Sequence, residues 1–380
     1  MSLSKSIKLT LLILIFILMP VSAQAQTGVY CYLHRINDIA WSPDGELLAV
    51  MTIHGVVIYD ADLNVIRSIE APVVMPDRTS STGLVWSPDS QWMILPDHST
   101  PESAAQGLDG WTIANAQTGE LRSIISPFPV GERSTVSELV WRPDNAFIVA
   151  LKYEPAFGLQ APRTTLVMIA GAFDGGFSPI SQQFDDVHFT SLNWDDGEGI
   201  TVHQNGLRLY LSESLELTTR APVIYPRWWI QNNAGTLEAG QPQFELLVRE
   251  IAGDAQSIEI DPVLDSAGQF FSPGFVSEII WMNDDEHFLA IYPMASGYRL
   301  EEQPELARNL QGVLVDALAG NQEAGFLIQA EGDISGYSVS GRGDRIALYR
   351  DETWLELWNP VTGERLNAIE APVLPIMDTC

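Results

Sequence analysis

The sequence predicts an all-β protein: a single β-propeller of about seven four-stranded blades that follows an N-terminal signal peptide. Two observations support this prediction. A short turn signature anchored mostly by tryptophan recurs along the chain, and short apolar, β-prone runs lie on each side of it. Charged residues make up 18% of the 380 residues and hydrophobic residues 46%, which is typical of a folded chain rather than of an acidic disordered tail.

Residues 1–25 have the features of a secretory signal peptide. Two lysines precede an apolar run that ends at Pro20, and Ala23-Gln24-Ala25 offers a small-x-small cleavage pattern. The run is too short to span a bilayer comfortably. We therefore expect a mature domain at 26–380, a secreted or otherwise extracytoplasmic location, and no membrane span after cleavage. An uncleaved anchor and a lipoprotein are the alternatives.

The acidic balance of the chain limits its partners. The formal net charge is −29 at neutral pH. Such a surface repels nucleic acid and anionic lipid, so we expect neither as a partner. Two interpretations fit the charge: the acids keep the protein soluble, or they attract cations and basic partners.

The turn signature defines the repeats. Its proline presets φ at the second turn position, aspartate suits the third, and glycine or asparagine tolerates the left-handed geometry at the exit. The copies begin at Trp41, Trp86, Trp141, Trp194, Trp281 and Val339. The interval between Trp194 and Trp281 leaves room for one more copy, which we place near Trp228-Trp229. The anchor tryptophans are expected to pack between blades, and carbohydrate stacking is an alternative for one member of the Trp228-Trp229 pair.

Each repeat is expected to hold four short strands. Apolar runs flank the signature, a third strand follows, such as Val56–Tyr59 or Trp354–Trp358, and a tight turn leads into a fourth. Four strands in a repeat of about 50 residues are typical of a propeller blade. The first and last repeats also end alike, with Ile-Glu-Ala-Pro-Val at 69–73 and at 369–373.

The Trp-Ser-Pro-Asp-Gly element at 41–45, with its copies, resembles the WD-repeat family and its bacterial relatives, including the propeller of the TolB type. The resemblance spans nearly the whole mature chain and implies one closed ring of blades. The chain departs from the family in lacking the Gly-His pair of the eukaryotic repeat. The Trp-Asp pair that ends the third strand is represented by Tyr59-Asp60 and Trp358-Asn359. The buried His–Asp network of the family is therefore not carried over.

The lengths of the connections indicate a binding face. The connections between second and third strands are long in blades 2, 3 and 6, at 96–110, 152–163 and 293–309, and the inter-blade segment 261–275 lies on the same face. Insertions gathered on one face of a repeat protein usually mark its binding face, and undirected drift in loop length is the alternative. The candidate contacts are Asp97, His98, Glu102, Tyr153, Glu154, Phe157, Tyr298, Arg299, Glu301 and Glu302.

These residues favour a non-catalytic recognition or scaffold module whose partner is a protein or peptide. The acidic contacts favour a basic partner. The alternative is an extracytoplasmic hydrolase or lactonase with its site at the propeller axis, which would need two facing carboxylates or a metal ion. The sequence contains neither a Gly-x-Ser-x-Gly elbow nor a His-Glu-x-x-His element.

No cofactor and no metal site are predicted. The six histidines are scattered over different repeats without a ligand-like spacing. Calcium is an alternative at two acidic turns, 195–198 and 284–286, because hard oxygen ligands suit it.

A disulfide is predicted between Cys31 and Cys380, the two cysteines of the chain. Export would place them where disulfides persist. When the repeat register of the first blade is applied to the last, both cysteines fall at the junction where the ring closes. Two unpaired thiols, or a bridge to another molecule, are the alternatives.

Overall fold

Thirty β-strands and no helix form the part of the chain that the computed structural model describes. The all-β prediction is therefore confirmed for these residues. No helix among them is long and apolar enough to cross a membrane. The described residues are 36–71, 83–95, 110–125, 135–142, 147–154, 163–170, 178–185, 192–195, 199–204, 207–212, 217–222, 229–232, 236–240, 246–250, 255–259, 263–264, 270–271, 278–292, 309–351 and 353–370.

Most strands belong to seven four-stranded antiparallel sheets, and each sheet is built from four strands that are consecutive along the described chain. Sheet 1 contains β1 Ile36–Trp41, β2 Leu47–Thr52, β3 Gly55–Asp60 and β4 Val65–Glu70. Sheet 2 contains β5 Val85–Trp86, β6 Trp92–Leu95, β7 Gly110–Asn115 and β8 Leu121–Ile125. Sheet 3 contains β9 Thr135–Trp141, β10 Phe147–Glu154, β11 Arg163–Ala170 and β12 Ser178–Asp185.

The second half of the chain continues this pattern. Sheet 4 contains β13 Leu192–Asp195, β14 Gly199–Gln204, β15 Leu207–Leu211 and β16 Leu217–Pro222. Sheet 5 contains β17 Trp229–Gln231, β18 Leu237–Gly240, β19 Leu246–Glu250 and β20 Gln256–Ile258. A small hairpin of β21 Val263–Leu264 and β22 Phe270–Phe271 follows in the long inter-blade segment. Sheet 6 contains β23 Glu278–Trp281, β24 His287–Tyr292, β25 Asn309–Asp316 and β26 Asn321–Gln329, and sheet 7 contains β27 Ile334–Val339, β28 Ile346–Arg350, β29 Trp354–Trp358 and β30 Arg365–Glu370.

The central strands of sheets 1, 6 and 7 are apolar on both faces because each of these sheets packs between two others. Successive side chains of a strand point to opposite faces. In β28, Leu348 belongs to a cluster with Leu289 and Phe326 of sheet 6. Its neighbour Ala347 belongs to a cluster with Val50 of sheet 1. Continuous apolar runs such as this one therefore supply two inter-sheet cores at once.

The last described sheet packs against the first, so the series of sheets closes on itself. Strand β1 lies beside β27 and β28. The backbone N–H of Trp41 donates to Ser338 Oγ at 3.1 Å, and the hydroxyl of Tyr349 donates to the carbonyl of Asn37 at 3.2 Å. No strand of either sheet is exchanged with the other. The contact between sheets 7 and 1, termed the seam, therefore consists of side-chain packing and of hydrogen bonds that include these two.

The predicted signature forms the turn between first and second strands. The Ser42 hydroxyl donates to Asp44 Oδ1 at 2.6 Å and accepts the N–H of Leu47 at 2.9 Å. Gly45, at φ 70°, donates its N–H to the carbonyl of Ser42 at 2.8 Å. Ser87 and Asp89 repeat the hydroxyl–carboxylate bond in sheet 2. Serine and aspartate thus close the turn, which explains why both recur.

These signature turns are hydrogen-bonded to one another and therefore lie on one face. The N–H of Asp44 in sheet 1 donates to Ser90 Oγ in sheet 2 at 3.1 Å. Asn283 in sheet 6 donates its backbone N–H to the carbonyl of Gly341 in sheet 7 at 2.7 Å, and its side-chain amide to the carbonyl of Pro43 at 2.9 Å. We call the strand ends joined by these turns the short-turn end, and the opposite strand ends the long-loop end.

The anchor tryptophans whose side chains are described pack between sheets, as predicted, and three of them also hydrogen-bond to the preceding sheet. The side chain of Trp194 lies outside the described part. Trp86, Trp141 and Trp281 donate their indole N–H groups to the carbonyls of Ala40, Val85 and Ile230, at 3.0, 3.4 and 2.8 Å. In sheets 1 and 2 the accepting residue directly precedes the anchor. Trp41, Trp86, Trp141 and Trp281 are all buried.

The fifth anchor is not the Trp228-Trp229 pair. Ile230 accepts the indole bond of Trp281, which places the anchor of sheet 5 at Gln231. The next residue, Asn232, donates its N–H to the carbonyl of Leu237 at 3.0 Å, as Ser42 does to that of Leu47. A four-stranded sheet does occupy the predicted interval, but an amide pair replaces its Trp-Ser. Trp228 and the side chain of Trp229 lie outside the described part.

The third-to-fourth turns use aspartate or asparagine as caps. Asn115 Oδ1 accepts the N–H groups of Gln117 and Thr118, and Asn359 Oδ1 accepts those of Val361 and Thr362. Asp60 and Asp316 cap the equivalent turns of sheets 1 and 6. In sheets 1, 2, 6 and 7, an aspartate or asparagine at the end of the third strand, or directly after it, therefore caps this turn.

Candidate functional site

Two of the predicted contact residues lie within the described strands. Tyr153 and Glu154 end β10 at the long-loop end of sheet 3, opposite Thr164 and Arg163 of β11. Only their backbone is described. The other predicted contacts lie outside the described residues: Asp97, His98, Glu102, Phe157, Tyr298, Arg299, Glu301 and Glu302. Cys31, Cys380 and the signal-peptide segment also lie outside them.

Seven exposed carboxylates lie at the long-loop end of the described sheets. Six of them stand where a first strand begins, where a fourth strand ends, or in the connection between the two, and one follows the second strand of sheet 7. The set, termed the acidic rim, comprises Glu70, Glu259, Glu278, Glu331, Asp333, Asp351 and Glu370. Because the long connections leave from the same strand ends, a ligand held by those connections would meet this negative charge.

Two arginines bring positive charge to the rim. The Arg350 side chain is only 9% exposed and contacts Asp351 at 3.1 Å and Glu331 at 3.4 Å. Its Nε also donates to Glu356 Oε1 at 2.8 Å, and the side chain of Glu356 is fully buried. Arg365 reaches Glu331 from the other end of β30 at 3.3 Å. Both arginines are thus paired with carboxylates, and the rim keeps a negative surface.

Two carboxylates on first strands link neighbouring sheets. Asp38 accepts the N–H of Leu84 in sheet 2 at 2.6 Å. Burial raises the pKa of Asp38, while hydrogen bonds from Leu84 and Ile39 oppose that rise. Glu278 accepts the hydroxyl of Tyr337 in sheet 7 at 2.9 Å. These acids hold adjacent first strands together.

The short-turn end also carries exposed acids. Some of them form short-range ion pairs with arginines. Arg122 contacts Glu120 at 2.8 Å, and Arg345 contacts Asp344 at 2.8 Å. Other exposed acids of this end, such as Asp89, lie outside these two pairs, so both ends of the described sheets carry negative charge.

One group of side chains at the short-turn end can hold a metal ion. His287, Asp316 and Glu323 of sheet 6 each offer a ligand atom, and the three atoms lie within 4.8 Å of one another. His287 has no metal-ligand spacing along the sequence because its companions stand on other strands. The repeat register could have indicated this group. A second strand begins beside the end of the third strand, and the fourth strand begins beside that same end.

The acidic turn at 284–286, where calcium was an alternative, already uses one carboxylate for local structure. Asp284 Oδ1 accepts the N–H groups of Glu286 and His287, both at 3.0 Å. Its Oδ2 contacts His287 Nδ1 at 2.8 Å. In the other acidic turn, residues 196–198 lie outside the described chain.

Comparison with known proteins supports the fold alone. No family model and no curated protein matches the sequence. Among solved structures, the chain is similar to KlHsv2 with loop 6CD replaced by a Gly-Ser linker, at 13% identity over 89% of this chain and 100% of that chain, with a TM-score of 0.51. A chain in the mitotic checkpoint complex is also similar, at 13% identity over 85% of this chain and 86% of that chain, with a TM-score of 0.48.

The protein is therefore a β-propeller. The likeness to the Hsv2 propeller, together with the four-stranded antiparallel sheets, supports the propeller part of the WD-repeat resemblance. Membership of the TolB type stays a prediction.

Proposed function

We propose that this propeller is a non-catalytic recognition scaffold that binds a basic protein segment or peptide at its long-loop end. The acidic rim is the observation that supports the proposal. Seven exposed carboxylates stand there, and the two arginines that reach them are already paired. A lysine- or arginine-rich segment would gain charge complementarity at this end, beside the long connections that would hold it.

The long connections of the second, third and sixth blades would bind the partner. Tyr153 and Phe157 would supply aromatic contact area, with Tyr298 and Arg299 from the sixth blade. Aromatic and arginine side chains contribute strongly to protein interfaces. Asp97, Glu102, Glu301 and Glu302 would extend the negative charge of the rim toward the partner.

The proposal includes export, a seven-bladed ring and a disulfide at its seam. Each described four-stranded sheet would be one blade. Cleavage after Ala25 would release the mature domain, and mass analysis of the exported protein should find an N-terminus at or near Gln26. An intact segment from Met1 to Pro20 on the exported protein would contradict export by cleavage.

Binding to a fluorescent lysine-rich peptide tests the charge argument. The triple variant Glu70→Gln, Glu278→Gln, Glu370→Gln should weaken binding by about tenfold and reduce its dependence on salt. The matched control changes Glu46, Glu120 and Glu364 at the short-turn end to glutamine and alters the net charge equally. Equal loss in both triple variants would mean that net charge alone attracts the peptide, and the face assignment would be wrong.

A pull-down from the native extracellular fraction tests the loop contacts. The mature protein serves as bait beside two double variants, Tyr153→Ala with Phe157→Ala and Tyr298→Ala with Arg299→Ala. We expect both double variants to lose partners while keeping the unfolding midpoint of the wild type. Partners retained by both, but lost by the short-turn triple variant, would reverse the face assignment.

A further inference from the structure

Three strands of sheet 6 bring one histidine and two carboxylates together. His287 begins β24 and lies directly opposite Asp316, the last residue of β25. Glu323 stands on β26 beside them. The imidazole is 26% exposed and the Glu323 carboxylate 43% exposed, so solvent ions reach the group.

A β-bulge adds Glu323 to this group. Leu314 pairs with Ala324 and Val315 pairs with Gln322, so Glu323 is the extra residue between them. A bulge redirects the side chain of its extra residue. The equivalent bulge residues in sheets 1 and 7 are Ile66 and Leu366, both exposed and apolar. Sheet 6 therefore has a metal-ligating side chain where these two sheets have an apolar one.

The imidazole is held in one orientation by Asp284. Both oxygens of that carboxylate are engaged, Oδ1 by two backbone N–H groups and Oδ2 by His287 Nδ1 at 2.8 Å. The proton of the neutral ring therefore sits on Nδ1, which donates to Asp284. The other ring nitrogen, Nε2, is directed toward Glu323 Oε2 at 3.6 Å.

That arrangement suits a positive charge beside Nε2. A neutral imidazole protonated on Nδ1 presents an Nε2 lone pair, which is an acceptor like the carboxylate that faces it. A second proton or a cation between them would be held by both. The separation of 3.6 Å is close to the distance of about 3.4 Å between two ligands of a tetrahedral zinc ion with bonds of about 2.0–2.1 Å.

We propose that His287 Nε2, Glu323 and Asp316 bind a divalent transition-metal ion of the zinc type, with Asp284 as the positioning residue. Metal-bound histidines usually donate their other ring N–H to a carboxylate, as His287 does here. Asp316 caps its turn through Oδ1 and still has a second oxygen for a cation. Water completes the coordination because the group opens to solvent.

The ligand set determines the class of metal. An imidazole nitrogen suits zinc and its neighbours in the first transition row, whereas calcium and magnesium prefer oxygen ligands throughout. Two carboxylates and one neutral imidazole also balance the charge of a divalent ion. The site differs from the calcium alternative at 284–286, because Asp284 here orients a ligand and does not bind the metal.

Protons compete with the metal for Nε2, because an imidazole binds a metal ion through its unprotonated nitrogen. We therefore expect weaker binding at pH 6 than at pH 8.

Calorimetric titration of the mature protein with Zn²⁺ at pH 8 tests the site. Wild-type protein should bind one Zn²⁺ that His287→Gln no longer binds. Glu323→Gln, a change at a half-exposed side chain, should weaken that binding by about 10- to 100-fold. His54→Gln, which changes a histidine at the long-loop end, is the matched control and should leave binding unchanged.

Two results would overturn the proposal. One is wild-type protein that binds no Zn²⁺, or His287→Gln and Glu323→Gln variants that bind it as the wild type does. The other is Ca²⁺ that binds the wild type more tightly than Zn²⁺ and is retained by His287→Gln. If His287→Gln fails to fold, Glu323→Gln decides between the outcomes.

Discussion

The backbone N–H of Trp41 donates to Ser338 Oγ and so joins the first and last described sheets across 297 positions of sequence. In other sheets, the carbonyl of the residue before the anchor accepts an indole N–H from the next sheet. At the seam the residue before the anchor is Ser338, and the buried Nε1 of Trp41 has no hydrogen-bond partner among the described residues. At the seam, the hydrogen bond to the Ser338 hydroxyl therefore takes the place of the indole hydrogen bond that joins other neighbouring sheets.

Replacing Ser338 with alanine should loosen the seam. The change leaves a partly buried N–H group without its acceptor, and we expect a loss of about 1 kcal/mol in the free energy of unfolding. Hydrogen exchange should also accelerate in β1 and β27 before other first strands. The control is Ser335→Ala, an exposed serine on the same strand. Equal loss in both variants would show that the hydroxyl of Ser338 does not stabilise the seam.

Cys31 and Cys380 should form a disulfide that adds a covalent link to the seam. The chain-entropy model gives roughly 5–6 kcal/mol for so long a loop, an upper limit because residual structure in the unfolded chain reduces it. Non-reducing peptide mapping of exported protein should recover the two cysteine peptides as one species. Free thiol at either position would refute the pairing.

The signature serine should stabilise more than other serines do. The buried Ser87 hydroxyl donates to Asp89 and accepts the N–H of Trp92 at 2.8 Å. Ser87→Ala removes both hydrogen bonds from a buried position, and we expect a loss of about 1–3 kcal/mol in the free energy of unfolding. Exposed Ser68 on β4 serves as the control, where alanine should change stability by less than about 0.5 kcal/mol. Urea unfolding with an unchanged m-value is the measurement.

Glu356 should be the most sensitive acid of sheet 7. Its fully buried carboxylate accepts from Arg350 Nε at 2.8 Å and from Trp358 Nε1 at 3.0 Å. Glu356→Ala leaves a buried arginine with weaker partners and should cost about 3 kcal/mol. Glu331→Ala removes an acid that is 68% exposed from the same arginine and should cost less than about 1 kcal/mol. Similar losses would mean that burial does not distinguish the two pairs.

Without metal, His287 should make stability depend on pH. Its folded pKa is raised, so its contribution is fully present below the unfolded value of about 6.5 and is lost as pH rises through the folded pKa. With EDTA present, the wild type should exceed His287→Gln in stability near pH 5.5, and the difference should vanish above the folded pKa. NMR titration of the ring gives that pKa. A difference that stays constant with pH would argue against the raised value.

The sequence predicted the turns well because their chemistry is local. Ser42, Asp44 and Gly45 act within one turn, so their spacing shows their role. The fifth anchor was misplaced because Gln231 and Asn232 do the same work with different side chains. Asn232 Oδ1 accepts the N–H groups of Thr236 and Leu237, which replaces the serine hydroxyl. A search for tryptophan favours the adjacent Trp228-Trp229 pair instead.

The histidine–carboxylate group could not be predicted from spacing along the chain. Asp316 meets His287 through strand pairing, which the repeat register does imply. Glu323 joins them only because a bulge shifts β26 by one residue, and a one-residue shift exchanges the two faces of a strand. The residues near Glu323 show no sequence pattern that predicts this shift.

Because each described sheet takes its strands from one continuous segment, the backbone ladders never cross from one repeat to the next. A duplication or deletion of one whole repeat would leave no orphan strand and would alter only the circumference of the ring. The free-energy cost would come from changed packing angles between neighbouring sheets, where tryptophans such as Trp86 and Trp281 form contacts. This propeller can therefore gain or lose units in evolution more readily than one whose closing sheet is shared between its two ends.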